Sequence, residues 1–184
     1  MKPSRRSLLM LALALAGCAS APAPSSLPAL RLPPALLGSA SYALNQRLSI
    51  TRLDRPDAPP QRVETQLQLD ASGLLLAGFA FGQRVLLMQW DGKALQVQRH
   101  VALPREVDTD RMLRDLCLVF WPADAVRAAL PEGWAWVETA TGQALQQGGQ
   151  ARLAVQRPGA NIVEIVNVAE GYRLLIESQP QEAS

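Results

Sequence analysis

Apolar and polar side chains alternate along most of this chain, which is the pattern of β-strands with one buried face. The clearest case is residues 63–70, where apolar or threonine side chains occupy every second position. Further strand patterns lie at residues 42–53, 74–81, 84–90, 95–98, 134–138, 151–157, 162–168 and 172–177. Short turns between successive patterns favour antiparallel pairing of neighbours in one meandering sheet.

The apolar period changes once, in the middle of the chain. Four apolar residues follow the spacing of one helix face: Leu113, Leu116, Cys117 and Phe120. Asp108 or Thr109 can cap this helix, and Pro122 ends it and can begin a second, shorter one. A sheet of so many strands must curl. We therefore expect a mainly β (α+β) fold, a curled antiparallel sheet or half-open barrel with the helical insertion as a lid over its concave side.

The first residues have the order of a secretory signal peptide. Lys2, Arg5 and Arg6 precede an apolar run from Leu8 to Ala16, and small residues follow. The run is too short to cross a bilayer as a helix. We therefore predict that residues 1–17 are a signal peptide and not a membrane span.

The residues that end this run, Leu15-Ala16-Gly17-Cys18, resemble a bacterial lipobox. In a lipobox the cysteine thiol is alkylated with diacylglycerol, the peptide is cleaved before the cysteine, and the new amino terminus is acylated. Several acyl chains hold a protein on a membrane far better than one. Ala19 occupies the position where Asp favours inner-membrane retention, so the resemblance implies the periplasmic face of the outer membrane. An ordinary signal peptide with an incidental cysteine is the alternative.

Charge and composition divide the rest of the chain. Loss of residues 1–17 would remove three of the 18 basic residues and leave 15 against 16 acidic ones, so the formal charge would fall from +2 to −1. No basic stripe remains, and we expect no nucleic-acid partner. Residues 18–34 are rich in Pro, Ala and Ser, which predicts an extended tether. Residues 35–178 then form a single domain, and residues 179–184 form a C-terminal tail.

Residue types with catalytic or metal-binding chemistry are few. His100 is the only histidine, and the Gly-x-Ser-x-Gly elbow of many serine hydrolases is absent. If Cys18 is lipidated, Cys117 has no disulfide partner and is most simply a small buried apolar residue. The sequence therefore predicts no catalytic residue, no metal site and no cofactor, and a hydrolase is the least supported of its alternatives.

Aliphatic residues in two adjacent strand patterns exceed what one buried sheet face needs. The excess suggests an apolar cavity between sheet and helices that accepts an acyl-like chain, although ordinary core packing is the favoured explanation of any single Trp and of the strand at Leu74–Phe81. The predicted lining consists of Leu74, Leu76, Val85, Leu87, Trp90, Leu116 and Phe120.

Short motifs add a family resemblance. Leu113 to Pro122, with the pattern Leu-x-Asp-Leu-x-Leu-x-x-Trp-Pro, resembles the signature of an uncharacterised bacterial lipoprotein family, as do Trp90-Asp91-Gly92 and Gly171-Tyr172. Genes of that family often lie beside aryl-polyene or fatty-acid-like biosynthesis genes. The family in turn resembles the outer-membrane lipoprotein receptor LolB and its periplasmic carrier LolA, whose half-open barrels carry helices over an apolar cavity.

The resemblance to LolB also implies a membrane-contact loop. In LolB an exposed leucine before a glycine, between two strands, touches the membrane. Phe81-Gly82 occupies a comparable position, with phenylalanine in place of leucine and without the preceding proline.

Together these patterns predict a lipid-anchored carrier or receptor at the outer membrane. Its expected ligand is an acyl or polyene-like molecule, or the acyl chain of a lipoprotein. The alternative is a structural accessory lipoprotein that docks a protein partner of a biosynthesis or export system and has no ligand cavity. We expect a membrane partner through the acylated amino terminus and no enzymatic activity.

Overall fold

The computed structural model describes residues 25–103 and 107–182, so the predicted signal peptide and Cys18 lie outside the described residues. Within the described ranges a short 3-10 helix, Pro34–Leu37, precedes the strands and α-helices, which are β1 Tyr42–Arg52, β2 Gln61–Asp70, β3 Gly73–Ala80, β4 Gln83–Trp90, β5 Leu95–Arg99, α1 Thr109–Phe120, α2 Ala123–Ala129, β6 Trp134–Thr139, β7 Gly142–Gln147, β8 Gln150–Gly159, β9 Ile162–Asn167 and β10 Tyr172–Pro180. None of these helices is long and apolar enough to span a bilayer.

All of these strands form one antiparallel sheet in the order β5-β4-β3-β2-β1-β10-β9-β8-β7-β6. Each half of the chain forms a meander, and the first and last strands join the two meanders at the centre of the sheet. The helices connect β5 at one edge with β6 at the other. The sheet is curled and unclosed, a half-open barrel with a helical insertion, as the alternation of the sequence predicted.

The connections between strands gather at two ends of the sheet. We call one the Phe81 end, because the β3–β4 turn there carries Phe81; the β1–β2, β7–β8 and β9–β10 connections and the turn after β5 lie at the same end. We call the other the Trp90 end. The β2–β3, β4–β5, β6–β7 and β8–β9 connections lie there.

The strand β7 was absent from the sequence-based prediction. Ala144 and Leu145 are its only buried residues, and glutamines fill most of the remainder, so it lacks a clear alternation. Gly142, a residue type that is typical of turns, instead begins the strand. A Cβ atom at this position would lie 2.1 Å from the carbonyl oxygen of Val155, so the close approach of two backbones requires glycine.

The helix α1 begins at the predicted cap, since the carboxylate of Asp108 accepts hydrogen bonds from the backbone N–H groups of Asp110 and Arg111. Its residues 113–119 are all buried, including the charged Arg114 and Asp115. A lid with one apolar face would expose its other face to water. The expected lid geometry is therefore incomplete, because α1 is covered on more sides than the sheet alone can cover.

The additional cover comes from the segment that the composition assigned to a tether. Leu27, Leu30, Leu32 and Leu37 belong to the core and are at most 6% exposed. We call residues 25–37 the strap. Residues 27–34 are thus part of the packed domain and not an extended linker. At the other terminus, β10 extends to Pro180, two residues into the predicted tail.

Candidate functional site

The interior of the curled sheet is the first candidate site, and the sequence placed seven residues there. Leu74, Leu76, Trp90 and Leu116 lie in the core cluster with the strap leucines. Their exposed fractions are between 2% and 9%. These four predicted residues therefore share one apolar interior, formed by β3, β4, α1 and the strap.

Of the other two strand residues, Val85 is 4% exposed but lies outside the core cluster, and Leu87 is only partly buried. Cross-strand partners point to the same side of a sheet, and the register pairs Leu76 with Met88 and Leu74 with Trp90. Met88 and Leu86 therefore face the interior in their place, and both belong to the core cluster. Leu87 therefore points to the other side of β4, and alternation within a strand does not reveal which face is internal. Val85 is buried beside the irregularity of register at Gly78 and Phe79.

The last predicted residue, Phe120, is half-buried at the Trp90 end. Its ring meets that of Tyr42 edge-on, with centroids 5.0 Å apart. Both line an open cleft of about 470 Å³, together with Trp121, Glu138 and Arg157. Phe120 therefore belongs to the mouth of the domain and not to the enclosed interior.

The strap fills the interior beside α1 and is held there by side-chain donors. The indole N–H of Trp90 donates to the carbonyl of Leu32 at 2.8 Å, and that of Trp121 donates to the carbonyl of Pro33 at 3.0 Å. The thiol of Cys117 lies 3.7 Å from the carbonyl oxygen of Leu30. The strap thus runs along α1, between that helix and the end of β4.

A buried polar network, which we call the clasp, lies beside the start of the strap. Its members are Arg114 and Asp115 of α1, Asn167 and Tyr172 at the ends of β9 and β10, Glu170 of the turn between them, and Ser25 of the strap. The Arg114 guanidinium is 1% exposed and lies 2.8 Å from both Asp115 and Glu170. It also donates to the hydroxyls of Ser25 at 3.0 Å and Tyr172 at 3.1 Å.

The charges of the clasp are mutually compensated. Burial alone would lower the pKa of Arg114, but the interactions with Asp115 and Glu170 outweigh the effect of burial, so the pKa of Arg114 is raised. Burial raises the pKa of Asp115 against the opposing effects of Arg114 and Tyr172. Burial would raise the pKa of Glu170, but the hydrogen bonds from Arg114 and Ser25 outweigh that effect, so the pKa of Glu170 is lowered. Asp115 pairs with Arg114, whereas Glu170 also lies 3.5 Å from the guanidinium of Arg111. Removing Arg114 would therefore leave a buried carboxylate uncompensated at Asp115 and only weakly compensated at Glu170.

The clasp lacks the parts of a nucleophilic site. His100 is the only histidine of the chain, and it lies exposed in the turn after β5, where its Nδ1 accepts a hydrogen bond from Ala102 N–H. Burial raises the pKa of Tyr172, which keeps its hydroxyl protonated. Among the described residues no group of three or more His, Cys, Asp or Glu side chains could hold a metal ion. The geometry of the clasp is that of a structural connection between α1, the sheet and the strap.

Motifs far apart in the sequence meet at these contacts. Asp115, from the Leu-x-Asp motif, accepts a hydrogen bond from the hydroxyl of Tyr172, from the Gly-Tyr motif. Trp90 and Trp121 both bind carbonyls of the strap, and a Cβ atom on Gly92 would lie 3.2 Å from the ring of Pro34. Sequence reasoning named these motifs but not the segment on which two of them converge, the strap.

The Phe81 end carries the most exposed apolar side chains of the described chain. Phe81 is fully exposed, Val101 is 95% exposed and Val168 is 56% exposed. The backbone of Phe81 has φ +52°, a left-handed conformation that an L-residue with a bulky side chain adopts at a cost. The strap also begins at this end, because Ser25 contacts Glu170 of the β9–β10 turn.

Comparison with known protein families identifies one match. The family described as Protein of unknown function (DUF3261) matches residues 43–180. The chain therefore belongs to this family, and the match covers all ten described strands and both α-helices except the first residue of β1. The strap lies before the matched region. No curated protein matches the chain.

Proposed function

We propose that this DUF3261 protein is a lipid-anchored carrier or receptor at the periplasmic face of the outer membrane. Its ligand would be a hydrophobic molecule with an acyl or polyene-like chain, or the acyl chain of a lipoprotein. One observation carries the proposal: exposed apolar side chains lie at the Phe81 end, and the strap begins at the same end.

The position of the strap limits how far this end can lie from the predicted anchor. Six residues lie between Cys18 and Ser25, and the seven residue steps from one to the other span at most about 25 Å. Diacylglycerol on Cys18 would therefore keep the Phe81 end close to the membrane surface. Phe81, Val101 and Val168 would then lie on the side of the domain that faces lipid.

The conformation of Phe81 supports a role outside the fold. Glycine would adopt φ +52° without strain, whereas phenylalanine there costs about 1–2 kcal/mol. The ring buries no area against the domain to offset that cost, because it is fully exposed. A membrane interface would supply the missing burial, as the resemblance to LolB implies.

The fold is compatible with the proposed comparison to LolA and LolB, since it is a half-open antiparallel barrel with a helical insertion. A shared architecture does not identify a cargo, however. The choice of an apolar ligand rests on the interior formed by Leu74, Leu76, Trp90 and Leu116.

Two experiments test the location. Metabolic labelling with a palmitate analogue should mark the natural protein and fail to mark Cys18→Ala, and labelling that survives the substitution would refute the anchor. Separately, non-acylated protein, made without residues 1–17 and with Cys18→Ser, should float with phosphatidylethanolamine–phosphatidylglycerol vesicles.

Phe81→Ser should reduce that flotation several-fold. Leu36→Ser is the matched control, because Leu36 is also an exposed apolar residue, 47% exposed, but belongs to the opposite end. Equal flotation of both variants and of the parent protein would show that the Phe81 end does not contact lipid.

The filled interior favours a second candidate, an accessory lipoprotein that docks a protein partner without a ligand. The strap leucines occupy the space that a ligand would need. Native mass spectrometry of the non-acylated protein separates the two proposals. Co-purified lipid supports the carrier, whereas a lipid-free protein that also fails to bind added fatty acid supports the accessory role.

A further inference from the structure

The strap differs from the rest of the core in how its backbone is held. From Ser25 to Leu32 the backbone makes no hydrogen bond to another backbone group of the described chain. Every strand of the sheet, in contrast, is fixed by a ladder of such bonds. The strap can therefore leave without breaking the sheet, since its removal exposes apolar surface but interrupts no ladder.

The polar contacts that hold the strap come from side chains at a few points. Two indoles and one thiol bond its carbonyls, and the clasp bonds its first described residue, Ser25. Arg31 adds an exposed ion pair with Asp110 at 2.5 Å, which contributes little. The principal attachment is thus the burial of Leu27, Leu30 and Leu32.

The shape of the space that these leucines fill matches a linear apolar chain. Leu27 and Leu32 are five residues apart, so the filled channel spans at most about 18 Å. The core cluster that contains these leucines is aliphatic and aromatic, and Leu76, Met88 and Leu113 are among its other members. A fatty acyl chain has a similar form, and it needs no hydrogen-bond partner along its length.

We infer that the channel under the strap is an acyl-chain binding site and that the strap occupies it until an acyl chain displaces it. This inference rests on the proposed carrier function and assigns the ligand a place. It also reconciles a filled interior with a hydrophobic ligand, because the ligand replaces part of the core instead of entering an empty cavity.

The test uses the non-acylated Cys18→Ser protein with dansyl-undecanoic acid as the probe. Apparent affinity is reduced by the fraction of molecules that have an open site, so weakening the strap should tighten binding. Leu30→Ser should lower the Kd of the probe at least tenfold. Leu36→Ser should leave the Kd unchanged, because it alters an exposed leucine of the same segment.

Two further measurements keep the test informative if Leu30→Ser does not fold. Ser25→Ala removes only the strap hydroxyl from the clasp and should lower the Kd two- to fivefold. In the parent protein, saturating probe should accelerate tryptic cleavage after Arg31 at least fivefold, because Arg31 lies within the strap. Cleavage after Arg52, at the end of β1, is the internal control and should keep its rate.

The outcomes separate the two proposals. Tighter binding by the strap variants with faster cleavage after Arg31 supports displacement. Probe binding by the parent protein with no change in cleavage and no gain in the variants overturns the strap inference but leaves the carrier function standing. Failure of the folded parent and of both strap variants to bind any probe overturns the carrier function and the inference with it.

Discussion

Removal of the guanidinium at the centre of the clasp should destabilise the protein strongly. Arg114→Met keeps a side chain of similar length but leaves the carboxylate of Asp115 without its cation and that of Glu170 with only the longer, 3.5 Å contact to Arg111. Both carboxylates lie 2.8 Å from the guanidinium and are at most 10% exposed. Breaking a buried ion pair by removal of one partner costs about 3–5 kcal/mol. We expect a loss of that size in the free energy of unfolding.

The matched control is Arg31→Met. The Arg31–Asp110 pair has a distance of 2.5 Å but is about half exposed on both sides, and such surface pairs contribute about 0–1 kcal/mol. Urea denaturation of the non-acylated protein at pH 7, followed by tryptophan fluorescence and circular dichroism, measures both variants. If Arg114→Met loses no more stability than Arg31→Met, the clasp does not act as a buried, charge-compensated unit.

The pH dependence provides a second check on the same variant. In the parent protein the pKa of Glu170 is lowered, so its contribution is present above the unfolded pKa and is lost as the pH falls through the folded pKa. The pKa of Asp115 is raised, so ionisation of this group opposes folding above its folded pKa. Without Arg114 both carboxyls would protonate more readily. The stability gap between parent and variant should therefore narrow as the pH falls from 7 towards 4, and a widening gap would contradict the assignment.

Three further predictions concern single positions. Phe81→Gly should raise the free energy of unfolding by about 0.5–1 kcal/mol, because relief of the backbone strain exceeds the entropy cost of glycine. Vesicle flotation of the same variant should fall. Thermal denaturation measures the first effect and flotation the second. Gly142→Ala should cost about 1–3 kcal/mol through the clash with Val155, whereas Gly159→Ala, where a Cβ makes ordinary contacts, should cost less. Burial raises the pKa of the Cys117 thiol to about 12, so Ellman's reagent at pH 8 should modify it only after unfolding; rapid reaction of the native protein would refute that burial.

The sheet was predictable because most of its strands carry a local alternation of apolar and polar residues. Residues 63–70 alternate strictly, and the structure places β2 over Gln61–Asp70. The face that each strand turns inward was harder to predict, as Leu87 shows, since its neighbours Leu86 and Met88 belong to the core cluster. That choice depends on cross-strand register and on the irregularity of register at Gly78 and Phe79, which only the partner strand defines.

The strap escaped prediction for a different physical reason. Leu27, Leu30 and Leu32 lie between prolines without a period of two or of 3.6, so composition alone suggested an unpacked tether. Extended chain with no ladder of its own has no sequence pattern that reports burial. One signal was present nevertheless. Arg114 and Asp115 interrupt an apolar helix on its supposedly exposed side, and a cover over that side explains why both are buried.

The clasp and the strap together give the proposed exchange a direction. Ser25 lies at the Phe81 end, beside Glu170, and Leu27 follows it into the interior. An acyl chain that leaves the membrane at this end would therefore meet the clasp first and the leucines in order. Each leucine side chain that the strap withdraws loses about 1.5–3 kcal/mol of burial, and the incoming methylene groups regain a similar amount in the same channel. Because the two terms nearly cancel, the proposed exchange would be reversible. A carrier requires that property, since a ligand bound far more tightly than the strap could not be released to the next acceptor.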